Sequence, residues 1–368
     1  LNIKDYANSG ILKIKEYIPG KSIKQVEREI GLAEIYKMAS NENPNGASNK
    51  ARALYRELED QLHRYPEIYN PELMAKFAQK LNLKPENITI GNGGDGVIYN
   101  FGMAFINDGD EALIPEITFS VYEIVTRIMR GVPVFTKMKG TLIDIDDIYK
   151  KITDKTKVIY LCNPNNPTGE ALPVKELTDF IKSIPERIIL FLDEAYIEFT
   201  EEEYTPDSLG MIREGIKNLF ILRTFSKIYG LAGVRIGYGV SNPEFINLVQ
   251  RVKPPFDVSL VAENLALHAL DDKDFFNKTL SETNIEKKYY YSELDKMGLK
   301  YYKSQTNYIL IDTGIDGASV AEKLIKKGII VRPTKNYNFP SCIRVTIGRK
   351  KENELFFKYF KEILARKN

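Results

Sequence analysis

From about residue 50 to residue 250, short apolar runs alternate with amphipathic stretches. Seven runs read as strands: "NITI" (87–90), "EALIP" (111–115), "VPVFTK" (132–137), "VIYLC" (158–162), "RIILFLD" (187–193), "NLFILRT" (218–224) and "RIGYGV" (235–240). Most are apolar at successive positions, the pattern of strands covered on both faces. Helical patterns such as "VKELTDFIKSI" (174–184) separate them. The expectation is an α/β unit with a mostly parallel seven-stranded sheet covered by helices. A long helical pattern follows from about Leu260 to Tyr291. Strand-like "NYILID", "IIVRP" and "IRVTIG" then mix with helical "GASVAEKLIKKG" and "ENELFFKYFKEILARKN", which predicts a smaller α+β unit. The expected division is an N-terminal arm over 1–37, a large domain over 38–255, and an interdomain helix with a small C-terminal domain over 256–368.

Composition narrows the function classes. Of 368 residues, 43% are hydrophobic and 28% charged, with a formal net charge of +2. Lys and Arg are spread along the chain, so neither nucleic acid nor a membrane surface is an expected partner. Cys162 and Cys342 lie far apart, and with only His63 and His268 besides, no metal-ligand spacing exists. The opening "LNIKDYANSG" lacks the apolar core of a signal peptide, and no run approaches the length of a membrane span. A reducing cytoplasm is the expected setting.

Open parallel sheets bind ligands outside the carboxyl ends of their strands. Polar residues and glycines collect there after five runs: "GNGGDG", "EITFSVY", "NPNNPTG", "DEAY" and "TFSK". The first matches the dinucleotide fingerprint G-x-G-x-x-G between strand and helix. Yet some 90 residues precede it, and the next run ends in proline and Glu116 with no ribose partner. Its backbone N–H groups at a helix start suit any phosphate.

Lys227 stands where "NLFILRT" gives way to "FSK". A shielded lysine at a strand end serves as an amine nucleophile, and a Schiff base with pyridoxal phosphate is the obvious use. The other demands of that cofactor each find a candidate. Asp193 suits the pyridine nitrogen, and Tyr196 and Asn166 suit the phenolate oxygen. Gly94, Asp95, Thr224, Ser226 and Arg235 suit the phosphate, and Phe119 offers a flat face to the ring. Taken singly, each has a plainer reading. Asp193 is also a plausible helix cap, Tyr196 and Phe119 are plausible core residues, and "NPNNPTG" is also a bare turn.

Together, "NPNNPTG", "DEAY" and "TFSKIYGLAGVRIGYG" resemble the fold-type I pyridoxal-phosphate aminotransferases of class I/II. "YIPGKS" (17–22), "SNENPNG" (40–46), "HRYPE" (63–67) and "IRVTIG" (343–348) are similar to the histidinol-phosphate branch, and the likeness covers nearly the whole chain. One departure stands out. That family commonly shows Gly-Ser-Asp-Glu where this chain has Gly93-Gly94-Asp95-Gly96.

The resemblance implies a homodimer that moves an amino group between glutamate and histidinol phosphate or its keto form, in histidine biosynthesis. It makes Lys227 the Schiff-base lysine and proton shuttle, Asp193 and Tyr196 its catalytic companions, and pyridoxal 5'-phosphate the cofactor. Tyr65 would reach the phosphate of the neighbouring subunit's site. Arg344 would take a substrate carboxylate, with Arg332 and Tyr17 near the distal group. Rival readings are an aromatic or broad-range aminotransferase, a threonine-phosphate decarboxylase-like lyase, a silent pyridoxal-fold binding protein and a dinucleotide oxidoreductase.

Overall fold

The computed structural model describes residues 2–14, 16, 20–32, 34–68 and 70–365. Its centre is a seven-stranded sheet. In chain order the strands are β1 (Ile88–Gly91), β2 (Glu111–Pro115), β3 (Val132–Thr136), β4 (Thr156–Cys162), β5 (Ile189–Asp193), β6 (Leu219–Thr224) and β7 (Gly237–Val240). Their spatial order is β1-β7-β6-β5-β4-β2-β3. Every pairing is parallel except the two made by β7, which lies antiparallel between β1 and β6.

Successive apolar residues of a strand serve opposite faces, as the two-residue period requires. In β5, Leu190 and Leu192 join one apolar cluster, while Ile189 and Phe191 join another. That division explains the uninterrupted apolar runs in the sequence. A third cluster holds the C-terminal elements together, including Tyr290, Ile309, Ile343 and Phe356, and Met38 joins it. There an antiparallel sheet pairs β8 (Tyr308–Asp312) with β10 (Phe339–Thr346), and β10 with β9 (Arg332–Thr334). Tyr36–Lys37 lies parallel to Ile329–Ile330, which ties the start of the chain to this C-terminal part.

Two expectations need correction. The helical pattern from Leu260 is not one helix but two, Leu260–Ala269 and α1 (Lys273–Lys296). Asp272 breaks it: its backbone is non-helical, and its carboxylate accepts from Phe275 N at 3.2 Å, Lys50 N at 3.2 Å and Ser48 Oγ at 2.6 Å. Such side-chain capping offers the backbone an end where periodicity alone shows none. The run at 235–240 begins as a strand only at Gly237, because Arg235 sits in the left-handed region at φ 60°. No helix among the described residues is long and apolar enough to cross a membrane.

Candidate active site

At the carboxyl ends of β4, β5 and β6 lies a cavity of about 230 Å³, closed on the other side by the C-terminal elements. Twelve residues expected from the sequence line it: Gly94, Asp95, Phe119, Asn166, Asp193, Tyr196, Thr224, Ser226, Lys227, Arg235, Arg332 and Arg344. Tyr17 lies outside the described residues. Tyr65 is not part of this cavity. It is 79% exposed, and its ring stacks on Phe256 at 4.6 Å between centroids.

One end of the cavity is a cradle of donors. Helix Gly93–Phe105 begins directly after β1, which aims its first N–H groups inward. Arg235 crosses this helix start and meets Asp95 Oδ2 at 3.2 Å. The approach depends on missing side chains. A Cβ at Gly93 would fall 2.4 Å from Arg235 Nη2, and one at Gly237 would fall 2.7 Å from Gly94 N. Thr224 and Ser226 stand beside the cradle, with Ser226 N donating to Thr224 Oγ1 at 3.0 Å.

Asp193 ends β5 inside the sheet and is 3% exposed. Burial pushes its carboxyl up to about 6, against the pull of the donors Tyr122 and Ala195. Tyr122 Oη donates to Oδ2 at 2.5 Å, and Ala195 N donates to Oδ1 at 2.9 Å. Lys227 Nζ donates to Ser40 O at 3.4 Å and lies 5.6 Å from the Tyr196 ring centre. Desolvation, helped by the nearby Arg344, brings its amine down to about 8.

Arg344 comes from β10, at the opposite wall. Its Nη1 donates to Asn166 Oδ1 at 2.5 Å, its Nη2 donates to Ala39 O at 3.0 Å, and its Nε is buried without a hydrogen-bond partner among the described residues. An unsatisfied buried donor on a charged group is costly, and a ligand oxygen is the natural remedy. The loop between β4 and helix Val174–Ser183 holds Asn166 in place, with cis peptides before Pro164 and Pro167.

The structure also brings in residues the sequence reading passed over. Ala39, Ser40 and Asn41 line the cavity, as do Gly20, Cys162 and Tyr337. The segment at 40–46 reads in sequence as a turn, and nothing local reveals which carbonyls it presents. Tyr122 had a usable signal: it stands three residues after Phe119 at a helix start, so the two rings meet edge-on at 5.7 Å. Among the described residues, no His, Cys, Asp and Glu cluster could hold a metal ion.

An amine, a buried carboxylate, a cradle of donors and a second arginine thus converge on one cavity. The chain belongs to the class I and II aminotransferases, whose family model, "Aminotransferase class I and II", matches residues 33–359. It is 42% identical over 354 residues to a histidinol-phosphate aminotransferase of Caldicellulosiruptor saccharolyticus, covering 96% of this chain and 99% of that one. A histidinol-phosphate aminotransferase of Moorella thermoacetica is 40% identical, over 96% of this chain and 92% of its own. In fold, the chain matches the crystal structure of histidinol-phosphate aminotransferase from Sinorhizobium meliloti in complex with pyridoxal-5'-phosphate, with a TM-score of 0.89, 24% identity and 98% of each chain covered. The fingerprint at 91–96 therefore sits in an aminotransferase fold, not a dinucleotide oxidoreductase.

Proposed function

We propose that this chain is a pyridoxal-phosphate transaminase that moves an amino group between glutamate and imidazole-acetol phosphate, yielding histidinol phosphate and 2-oxoglutarate. The observation that carries the reading is the convergence of Lys227, Asp193, Asn166, Tyr196, Arg235 and Arg344 on one cavity. The relatives at 42% and 40% identity support the choice of substrate.

The residues present fit the cofactor. The cradle at Gly94, Asp95, Thr224, Ser226 and Arg235 suits its phosphate, and the space left by Gly93 and Gly237 suits close backbone approach. Asp193 would face the pyridine nitrogen, Asn166 and Tyr196 the phenolate oxygen, Phe119 the ring, and Lys227 the aldehyde. When bound, pyridoxal phosphate supplies an electron sink and an aldehyde that carries the amino group from one substrate to the other.

The protein's own groups do the rest. An amine brought down to about 8 takes and returns protons near neutral pH, which suits Lys227 to act as general base and acid. Ser40 O accepts from that amine and holds it beside Tyr196. Asp193, braced by Tyr122 and Ala195, keeps a carboxylate directed from the end of β5. Arg344 offers a planar fork to a carboxylate or phosphate, and Asn166 fixes the fork's plane. Arg332 and Tyr17 belong to the distal end of the substrate in this reading.

The proposal includes a division into an arm over 1–37, a large domain over 38–255 and a C-terminal unit over 256–368; the separate apolar cluster of the C-terminal elements supports it. It also includes a homodimer in the cytoplasm, in which Tyr65 serves the partner's site. The exposed Tyr65–Phe256 stack, with Tyr55 at 60% and Leu62 at 65% exposure nearby in sequence, supports a covered face.

The test is a panel of amino donors with 2-oxoglutarate. Histidinol phosphate should exceed histidinol in kcat/KM by about 30-fold or more, the low end of the ~2–5 kcal/mol cost of orphaning a buried charge. Preference for tyrosine or phenylalanine, with indifference to the phosphate, would instead mark an aromatic aminotransferase.

A further inference from the structure

Four consecutive backbone carbonyls, Met38 to Asn41, each accept from a different group. Met38 O takes Thr346 N at 2.8 Å, Ala39 O takes Arg344 Nη2 at 3.0 Å, Ser40 O takes Lys227 Nζ at 3.4 Å, and Asn41 O takes Asn307 Nδ2 at 3.0 Å. The strip thus lies between the C-terminal sheet and the amine at the end of β6. Asn41 ends it, 2% exposed and with φ 56°, a left-handed backbone that Asn tolerates better than most residues.

The hydrogen bonds of Asn41 fix the direction of a proton. Its backbone N donates to Thr346 Oγ1 at 2.9 Å, and Thr346 Oγ1 in turn donates to Asn41 Oδ1 at 3.3 Å. With Oδ1 placed on the Thr346 hydroxyl, Nδ2 is the end that faces Tyr196, donating to its Oη at 2.8 Å. A phenol oxygen that accepts this bond keeps its single proton for another direction, and Tyr196 lines the cavity.

We propose that Asn41 is a positioning residue for Tyr196: its amide occupies the phenol oxygen as a donor, so that the phenol proton is delivered into the cavity, and its anchors on Thr346 and Asn307 make that delivery depend on the seating of the C-terminal strand. The proposal rests on the functional reading above, because the cavity group that would accept the phenol's hydrogen bond is the cofactor's phenolate oxygen. The groups around the phenol are accounted for. Lys227 lies over its ring, Tyr308 packs edge-on against it at 5.3 Å between centroids, and Arg344, Asp193 and Cys162 are the other ionisable groups that face it. None of them stands at its oxygen in place of Asn41.

The readout is the visible absorption band of the holoenzyme, titrated with pH in the absence of substrate. Hydrogen bonds to a phenolate favour its charged form and hold the titration midpoint down. Asn41→Gly keeps the left-handed backbone, adds no charge and deletes the side-chain amide, both the donor to Tyr196 and the acceptor for Thr346. It should raise the midpoint by about one pH unit, as should Tyr196→Phe. In the Tyr196→Phe background, Asn41→Gly should move the midpoint no further. Asn41→Asp keeps size and backbone but turns the amide donor into an acceptor, so the phenol proton is drawn away from the cavity. It should raise the midpoint at least as much as Asn41→Gly, and by more with the Tyr196 hydroxyl present than in the Tyr196→Phe background, where only its added charge acts; that difference serves if the glycine variant is poorly folded. A midpoint that ignores both variants, or a glycine effect that persists undiminished without the Tyr196 hydroxyl, overturns the proposal while leaving the functional reading intact. A wild-type protein that gives no visible band with pyridoxal phosphate overturns the functional reading and this proposal together.

Discussion

Asp193 and Glu194 are neighbours in sequence with opposite fates. Asp193 belongs to the cavity, where among the described residues no cation pairs with its carboxylate and the neutral donors Tyr122 and Ala195 hold it. Glu194 points into a buried ionic cluster: Arg223 Nη2 and Nε reach its Oε2 at 2.8 and 2.9 Å. Glu198 lies within the field of the same arginine, yet burial still pushes its carboxyl up to about 7. Lys80 closes that region, donating to Tyr229 Oη at 3.1 Å and to Leu270 O at 3.2 Å. In the cluster Glu194 Oε2 takes both Arg223 contacts, while Glu194 Oε1 and Glu198 Oε2 are buried without a hydrogen-bond partner among the described residues. The cavity keeps an amine, a carboxylate and an arginine Nε in reserve for a ligand. Net charge cannot distinguish two such regions, but the ion pair can: Glu194 has one, and Asp193 has none among the described residues.

The largest effect expected on this contrast is at Lys227. Lys227→Ala should cut turnover by about 10²–10⁴-fold, the scale of losing a positioned acid–base group, while the thermal midpoint stays near wild type. Steady-state assays with a melting curve check both halves. Next comes Arg223→Leu in the cluster, which strands Glu194 as a buried charge. It should cost about 3–5 kcal/mol in denaturant unfolding, and whatever protein folds should keep its substrate preference. Cavity and cluster would then fail in different currencies, activity against stability.

Asp193 offers an intermediate effect with a definite sign. Its folded pKa of about 6 lies above the ordinary 3.8, so the folded apoprotein holds the proton more tightly than the unfolded chain. Stability from this group is present below pH 4 and is lost as pH rises through about 6, by up to ~3 kcal/mol. Asp193→Asn should remove that slope and stabilise the apoprotein at neutral pH, while the amino-transfer half-reaction slows. Added pyridoxal phosphate should flatten the wild-type slope. The parallel slope from Glu198, which Glu198→Gln removes, should ignore the cofactor. Urea unfolding at several pH values, with and without pyridoxal phosphate, separates the two carboxyls.

The smallest effect concerns Gly94. A Cβ there meets only Leu222 methyls, at 3.6 and 3.8 Å, which is ordinary contact. Gly94→Ser should therefore fold normally and add one hydroxyl to the cradle. About fivefold tighter cofactor binding is expected, from roughly 1 kcal/mol for one added hydrogen bond. Equilibrium dialysis against pyridoxal phosphate reads it directly.

Much of this was legible in the chain because the decisive residues follow strand ends. Thr224, Ser226 and Lys227 lie within four positions of one another, and Asp193 and Tyr196 likewise, so local order records their proximity. The strands themselves were found to within two residues at most ends, because burial on both faces leaves an unbroken apolar run. What the sequence hid was long-range or backbone-borne. Asn166 and Arg344 meet across 178 residues, and the family likeness, not the spacing, suggested the arginine. The carbonyls of Ala39 and Ser40 carry no side-chain signal at all. The break at Asp272 and the late start of β7 at Gly237 came from capping and a left-handed arginine, and neither disturbs the hydrophobic period.

Gly237 has one more consequence. It touches no ligand, yet the first turn of helix Gly93–Phe105 rests against the place where its side chain would be. The width of the anion cradle is therefore recorded as an omission, a methyl that is not there. In a survey of every single substitution, such a position would score alongside Lys227. It would do so as a spacer whose information is distance, and conservative chemistry offers it no substitute.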